Sequence, residues 1–315
     1  DIAGFTLGSS LVNFNSSSAT LLNPVMSRWL GGTVNLSLLS WQGLASGHVT
    51  LEGIRRELAD LGFSVGSVDQ MLNTNLTLAQ FYQASALALA RNGDTANANI
   101  LDVLRVQAVS TATFQLAEMV TIGQGGSSSA ANAQLNVLQL VTGSAAAVNG
   151  QNLISVPNVG VNIPNVSQTS LSLQVIEGPT IYIGPVNGTK VTTGQIAMTL
   201  TPTINAVNLL GLLKVTGTSP VELMAAGATG ELMSIECPQK NIVVRVDPVA
   251  VSPSTKTTRL NVTTLANIQV MDVDVTAARP GIDGPAQDLT FAYPAEFNPP
   301  NDVSKPVGSQ PIGLE

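Results

Sequence analysis

His48-Val49-Thr50-Leu51, Ser67-Val68-Asp69-Gln70 and Asn75-Leu76-Thr77-Leu78-Ala79-Gln80 decide how the first half of this chain folds. In each phrase a hydroxyl residue stands directly before an apolar run of helical period. Ser67 and Thr77 also carry a glutamine three residues on, the pattern in which side chain and backbone satisfy each other at a helix start. The spacing predicts helices over about Leu51–Leu61, Val68–Asn73 and Leu78–Arg91, the last ended by Asn92-Gly93. Asp94 then caps a further helix that runs to about Val106.

Working backward, residues 2–14 and Thr33–Leu38 alternate apolar with polar and read as strands, with a short helix from Ser18 to Leu30 between them. Working forward, Gly123–Ser129 (Gly-Gln-Gly-Gly-Ser-Ser-Ser) reads as a linker loop and Ala130–Asn149 as a small-residue helix. The period then changes near residue 150. Leu171–Ile176, Gln195–Thr201, Val215–Thr218, Val221–Ala226, Ala228–Ile235, Asn241–Val246 and Ile268–Val275 alternate on a period near two, as antiparallel strands do. Asn187-Gly188 is the strongest hairpin signal, between Thr180–Gly184 and Lys190–Thr193.

The expected fold class is therefore α+β, a helical layer packed with an antiparallel β-rich portion that takes in the N-terminal strand. Each class of segment has one apolar face and buries it against the other. The expected divisions are 1–150, mainly helical with N-terminal strands; 151–277, β-rich; and 278–315, a Pro/Gly-rich extended tail. Polar-apolar-Thr-Leu occurs at His48 and at Asn75 with no third copy, so no solenoid is read.

Composition sets a low prior for catalysis. One His, one Cys and 10% charged residues in 315 leave little raw material for acid–base or metal chemistry. With 44% hydrophobic but only 4% aromatic residues, the core is built from Ala, Val, Leu and Ile. A net charge of −7 with scattered Lys and Arg argues against a nucleic-acid partner. No apolar run reaches the length a membrane-spanning helix needs.

Individual candidates have plainer readings. His48, two residues before a helix start, reads as a loop or cap residue, and the chain holds no Gly-x-Ser-x-Gly elbow to pair with it. Gly123-Gln124-Gly125-Gly126 lacks the Lys-Ser/Thr of a phosphate-binding loop. Asp272 and Asp274, at i and i+2 on a strand, share a face and offer oxygen ligands to calcium, yet no third acid or glycine turn accompanies them. A solvated strand face is the simpler reading. Cys237 reads as a buried structural thiol, and Trp29 and Trp41 as buried between helix and sheet rather than as anchors for a partner. Six Asn-x-Ser/Thr triplets, at Asn15, Asn35, Asn75, Asn165, Asn187 and Asn261, match the glycosylation acceptor pattern, which an Asn/Ser/Thr-rich chain also produces by chance. No catalytic, cofactor-binding or metal residue is assigned.

A resemblance rests on Leu7-Gly8-Ser9-Ser10-Leu11-Val12, Leu38-Leu39-Ser40-Trp41-Gln42-Gly43-Leu44-Ala45, Val49-Thr50-Leu51, Val65 to Leu78, and Leu135-Asn136-Val137-Leu138-Gln139-Leu140. In this order they resemble the extracytoplasmic part of TadG-like proteins, the bacterial family associated with assembly of Flp (Tad) pili. The likeness covers roughly residues 5–240 and includes no catalytic motif. It implies a non-enzymatic role in pilus assembly through contacts with other pilus-assembly or envelope proteins. It also implies a location in the periplasm or at the cell surface, anchored in the cytoplasmic membrane by an N-terminal helix. The start at Asp1, without Met or a basic region, reads as a chain trimmed of that anchor. A C-terminal cysteine pair found in some relatives is absent, leaving Cys237 alone.

Two further functional classes stand beside this one. A surface adhesin or ligand-binding module for glycan or peptide would show a concave pocket lined by Trp41 or Tyr182. An enzyme would need a cleft joining His48 with Cys237, Glu52 or Asp272.

Overall fold

The computed structural model describes residues 3–6, 16–123, 130–149, 154–156, 166–177, 180–186, 188–192, 195–208, 213–218, 221–225, 228–236, 241–248, 254–264, 269–279, 281–292 and 310–312. Its class is α+β, a helical layer with several antiparallel sheets.

The helical layer comprises α1 (Ser16–Leu30), α2 (Leu38–Ser46), α3 (Leu51–Asp60), α4 (Val68–Leu72), α5 (Leu78–Arg91), α6 (Thr95–Gln107) and α7 (Val137–Asn149). Four starts carry the caps read from sequence. Thr50 Oγ1 accepts from Gly53 N at 3.0 Å, Ser67 Oγ from Gln70 N at 3.2 Å, Thr77 Oγ1 from Gln80 N at 3.3 Å and Asp94 Oδ1 from Asn97 N at 3.2 Å. At α5 the reciprocal bond is also made, Thr77 N donating to Gln80 Oε1 at 2.9 Å. Gly93, at φ +88°, turns the chain out of α5, a backbone that a side chain would strain. α5 is the centre of the layer, burying Phe81, Tyr82, Ala84, Ala88 and Leu89 against α3, α6 and α7.

Two expectations in this half are corrected, and one helix is added to them. Thr33–Leu38 is not a strand: Val34 and Leu36 point inward and Asn35 outward as a strand would place them, but side chains of α1 replace a neighbouring strand. Ser27 Oγ accepts from Val34 N at 2.8 Å, while Asn23 accepts from Leu36 N at 3.0 Å and donates to Leu36 O at 2.9 Å. Leu38 already belongs to α2, a helix that the sequence reading missed. Ala130–Asn149 is not one helix either, because Gln134–Asn136 forms a short strand before α7 begins.

Beyond the helices, strands Leu213–Thr218, Gln195–Asn208, Val166–Glu177, Ser254–Thr264 and Gln269–Arg279 form the body of a seven-stranded antiparallel sheet, with Ile154–Val156 at one edge. Val221–Ala225 pairs along Gln195–Asn208 in the same sheet. A second antiparallel sheet runs Lys190–Thr192, Ala228–Glu236, Asn241–Pro248, Gln287–Ala292. Its last strand lies within the stretch expected as an extended tail.

The Asn187-Gly188 hairpin is also corrected. Gly188 has φ +77°, as a turn residue would, and the base is closed by Thr180 N donating to Thr192 O at 3.1 Å and Thr192 N to Thr180 Oγ1 at 2.7 Å. Ile181–Gly184 and Lys190–Thr192, however, form no ladder with each other. Ile181–Gly184 is held on one side by Ala3–Thr6, antiparallel, and on the other by Val120–Ile122, parallel. With both its edges taken, Lys190–Thr192 pairs with Thr229–Glu231 instead. Ala3–Thr6 is the described part of the strand expected over residues 2–14, and it joins the β portion as expected.

Two cores result. The larger lies among the helices and takes in Ile181 and Ile183; the smaller gathers Tyr182, Val191, Leu232, Val244 and Val246.

Candidate functional site

The phrases that stand out in the sequence are helix entries. His48-Val49-Thr50-Leu51 and Asn75-Leu76-Thr77-Leu78 have two counterparts that sequence reading passed over, Asn35-Leu36-Ser37-Leu38 and Gln134-Leu135-Asn136-Val137. In all four a buried apolar residue (Leu36, Val49, Leu76, Leu135) precedes a capping side chain. Ser37 Oγ accepts from Ser40 N at 3.1 Å and Asn136 Oδ1 from Gln139 N at 3.1 Å, as Thr50 and Thr77 do at theirs. Three of the entries are also short strands, His48–Thr50 pairing with Gln134–Asn136, and Leu76–Thr77 with Thr113–Phe114. The signal for the added pair was present in the same polar-apolar-cap-apolar order, but Ser37 and Asn136 stand where threonine was expected.

This pattern accounts for two of the glycosylation-like triplets. In Asn35-Leu36-Ser37 and Asn75-Leu76-Thr77 the hydroxyl residue is the helix cap, so the triplet follows from the entry phrase. Both asparagines are exposed, and Asn75 Oδ1 accepts from Gln115 Nε2 at 3.1 Å. Asn261 lies on strand Ser254–Thr264, while Asn15, Asn165 and Asn187 lie outside the described residues.

Ser40-Trp41-Gln42-Gly43-Leu44-Ala45 is a packing phrase. Trp41 is fully buried and its Nε1 donates to Asn23 Oδ1 at 3.1 Å, so the amide that holds Leu36 also holds the indole. Gly43 and Gly47 let α2 approach α6. A Cβ at Gly43 would meet Asn97 Oδ1 at 2.9 Å, and one at Gly47 would meet Asn97 Nδ2 at 2.7 Å. Trp29 is buried as expected, at the end of α1.

The described residues weighed for chemistry lie on different elements. His48 is half-buried on a strand opposite Asn136, not in a loop, because alternation turns Val49 into the core and the ladder to Gln134–Asn136 fixes its neighbours. Glu52 is bound by Arg55, with Nε to Oε2 at 2.7 Å and Nη2 to Oε1 at 2.5 Å, which lowers its pKa. Asp272 and Asp274 lie on strand Gln269–Arg279 with Asn261 and Arg259 at the facing positions of the next strand. Cys237 and residues 124–129 of the glycine-rich stretch lie outside the described residues. Among the described residues no three His, Cys, Asp or Glu side chains gather as a metal site.

What the helical layer does present is apolar surface. Leu39 on α2 is 77% exposed, and Val103 and Val106, one turn apart on α6, are 48% and 58% exposed, followed by Val109 at 62%. Large apolar side chains at such exposure are more often part of a contact surface when several share one side of an element.

Residues 18–147, the helical layer from α1 to α7, match a family model described as a domain of unknown function (DUF8293). No curated protein and no solved structure matches the chain. No helix among the described residues is long and apolar enough to cross a membrane.

Proposed function

We propose that this chain is a non-catalytic structural component of a bacterial cell-envelope assembly, acting through protein–protein contacts in an Flp (Tad) pilus system. The observation that carries the reading is the set of exposed apolar residues on the helical layer, Leu39, Val103, Val106 and Val109, while the Glu52 carboxylate is paired with Arg55 and the Trp41 indole is held by Asn23. The pilus part of the reading rests on the resemblance of the phrases from Leu7 to Leu140 to TadG-like proteins. That resemblance also carries the extracytoplasmic location and the N-terminal membrane anchor.

The alternative of a glycan- or peptide-binding adhesin gains nothing from the aromatic residues named for it, since Trp41 and Tyr182 are both 0% exposed.

A pull-down from envelope extracts tests the proposal, with the chain as bait and its Val103→Asp, Val106→Asp double variant as control. Pilin or pilus-secretion proteins are expected on the first and not on the second. Retention of a glycan or host protein in their place would put the adhesin reading first.

A further inference from the structure

The strand Ile181–Gly184 belongs to both cores. Successive side chains of a strand point to opposite faces, and here Ile181 and Ile183, 3% and 2% exposed, enter the helical core while Tyr182, 0% exposed, enters the core of the four-stranded sheet. We propose that Tyr182 is a latch that couples the two cores into one cooperative unit.

The latch is built from backbone that only glycine supplies. Tyr182 Oη donates to Pro185 O at 2.7 Å, which bends the phenol back over its own strand. There it lies against Gly184 and against Gly123, whose N–H donates to Ile183 O at 2.9 Å as it leaves the parallel strand Val120–Ile122. A Cβ at Gly123 would stand 2.5 Å from Tyr182 Oη, and one at Gly184 would stand 2.7 Å from the ring carbon Cζ. The ring therefore fills the gap between the parallel ladder on the helical side and Val191, Leu232, Val244 and Val246 on the other. Opening either core exposes a residue of this strand to water, so each core stabilises the other through it.

The chain carries its own reporters. Both tryptophans, Trp29 and Trp41, lie in the helical core, so their fluorescence follows that core alone. Amide exchange over Ala228–Glu236 and Asn241–Pro248, read by mass spectrometry along the same urea series, follows the other. For the unaltered chain the two transitions coincide. In Gly184→Ala, which displaces the phenol, the sheet amides lose protection at urea concentrations where the tryptophan signal is still native. Tyr182→Leu keeps an apolar side chain without the bent phenol, gives the same separation, and serves if Gly184→Ala does not fold. Val191→Ala weakens the small core with the latch intact, and both probes then shift together. Separate transitions in the unaltered chain, or probes that stay coincident in both latch variants, would overturn the proposal.

Discussion

Asn23 shows how much one amide can decide. It supplies a donor and an acceptor to Leu36, as a neighbouring strand would, and shares its oxygen with the Trp41 indole. Asn23→Ala removes all three bonds and leaves a buried indole N–H without its acceptor. The expected loss is about 3 kcal/mol, taking about 1 kcal/mol for each bond, read as a lower urea midpoint of tryptophan fluorescence. An unchanged midpoint would mean that water replaces the amide. The sequence singled out Trp41, whose burial follows from its size and scarcity, but gave no hint of Asn23. Its partners are 13 and 18 residues away, and no local pattern encodes them.

At the scale of elements, the caps were legible because capping chemistry is confined to four consecutive residues. Thr77→Ala removes a bond to Gln80 N and frees half of the reciprocal pair, so a loss of about 1 kcal/mol is expected. Thr77→Ser, which keeps the hydroxyl, restores most of it; equal losses in the two variants would show that the cap is not the cause. The missed helix α2 rests on the opposite kind of information. Its mid-helix Gly43 and following Gly47 weaken any local helical signal, and both are there because α6 comes close. Gly47→Ala should push α2 away from Asn97 and destabilise the chain by about 1–3 kcal/mol, the range for an extra methyl group in a filled core. Thermal unfolding measures it, and a stabilised variant would show that α2 has room to move. Extended residues 33–37 were misread as a strand for the same reason, since alternation reports which side is buried and not what the backbone bonds to.

Over the whole molecule, burial pushes the hydroxyls of Tyr82 and Tyr182 above the usual phenol value of about 10. The folded chain then keeps protons that the unfolded chain gives up, so stability is complete below about pH 10 and falls as pH rises through the folded values. Tyr82 Oη also donates to Val141 O at 3.0 Å, joining α5 to α7. Tyr82→Phe should therefore lose about 1 kcal/mol at neutral pH but show a shallower alkaline decline than the unaltered chain. Urea midpoints at neutral and alkaline pH test this. Parallel curves would mean that Tyr82 does not drive the decline. At acid pH the sign reverses for Glu52: Arg55 lowers its folded value, so its small contribution is present above the ordinary carboxylate range and lost as pH falls.

By itself the sequence determined the α+β class, the capped helices α3 to α6 and most of the antiparallel strands, because caps, periods and turns are set by residues a few positions apart. Tertiary structure alone decided that Thr33–Ser37 bonds to a helix, that Lys190–Thr192 ladders with another sheet while only Thr192 stays bonded to Thr180, and that Ile181–Gly184 is shared by two cores. Those outcomes depend on which backbone edges and apolar faces are already occupied by segments tens of residues away, and that competition is settled only when the chain packs.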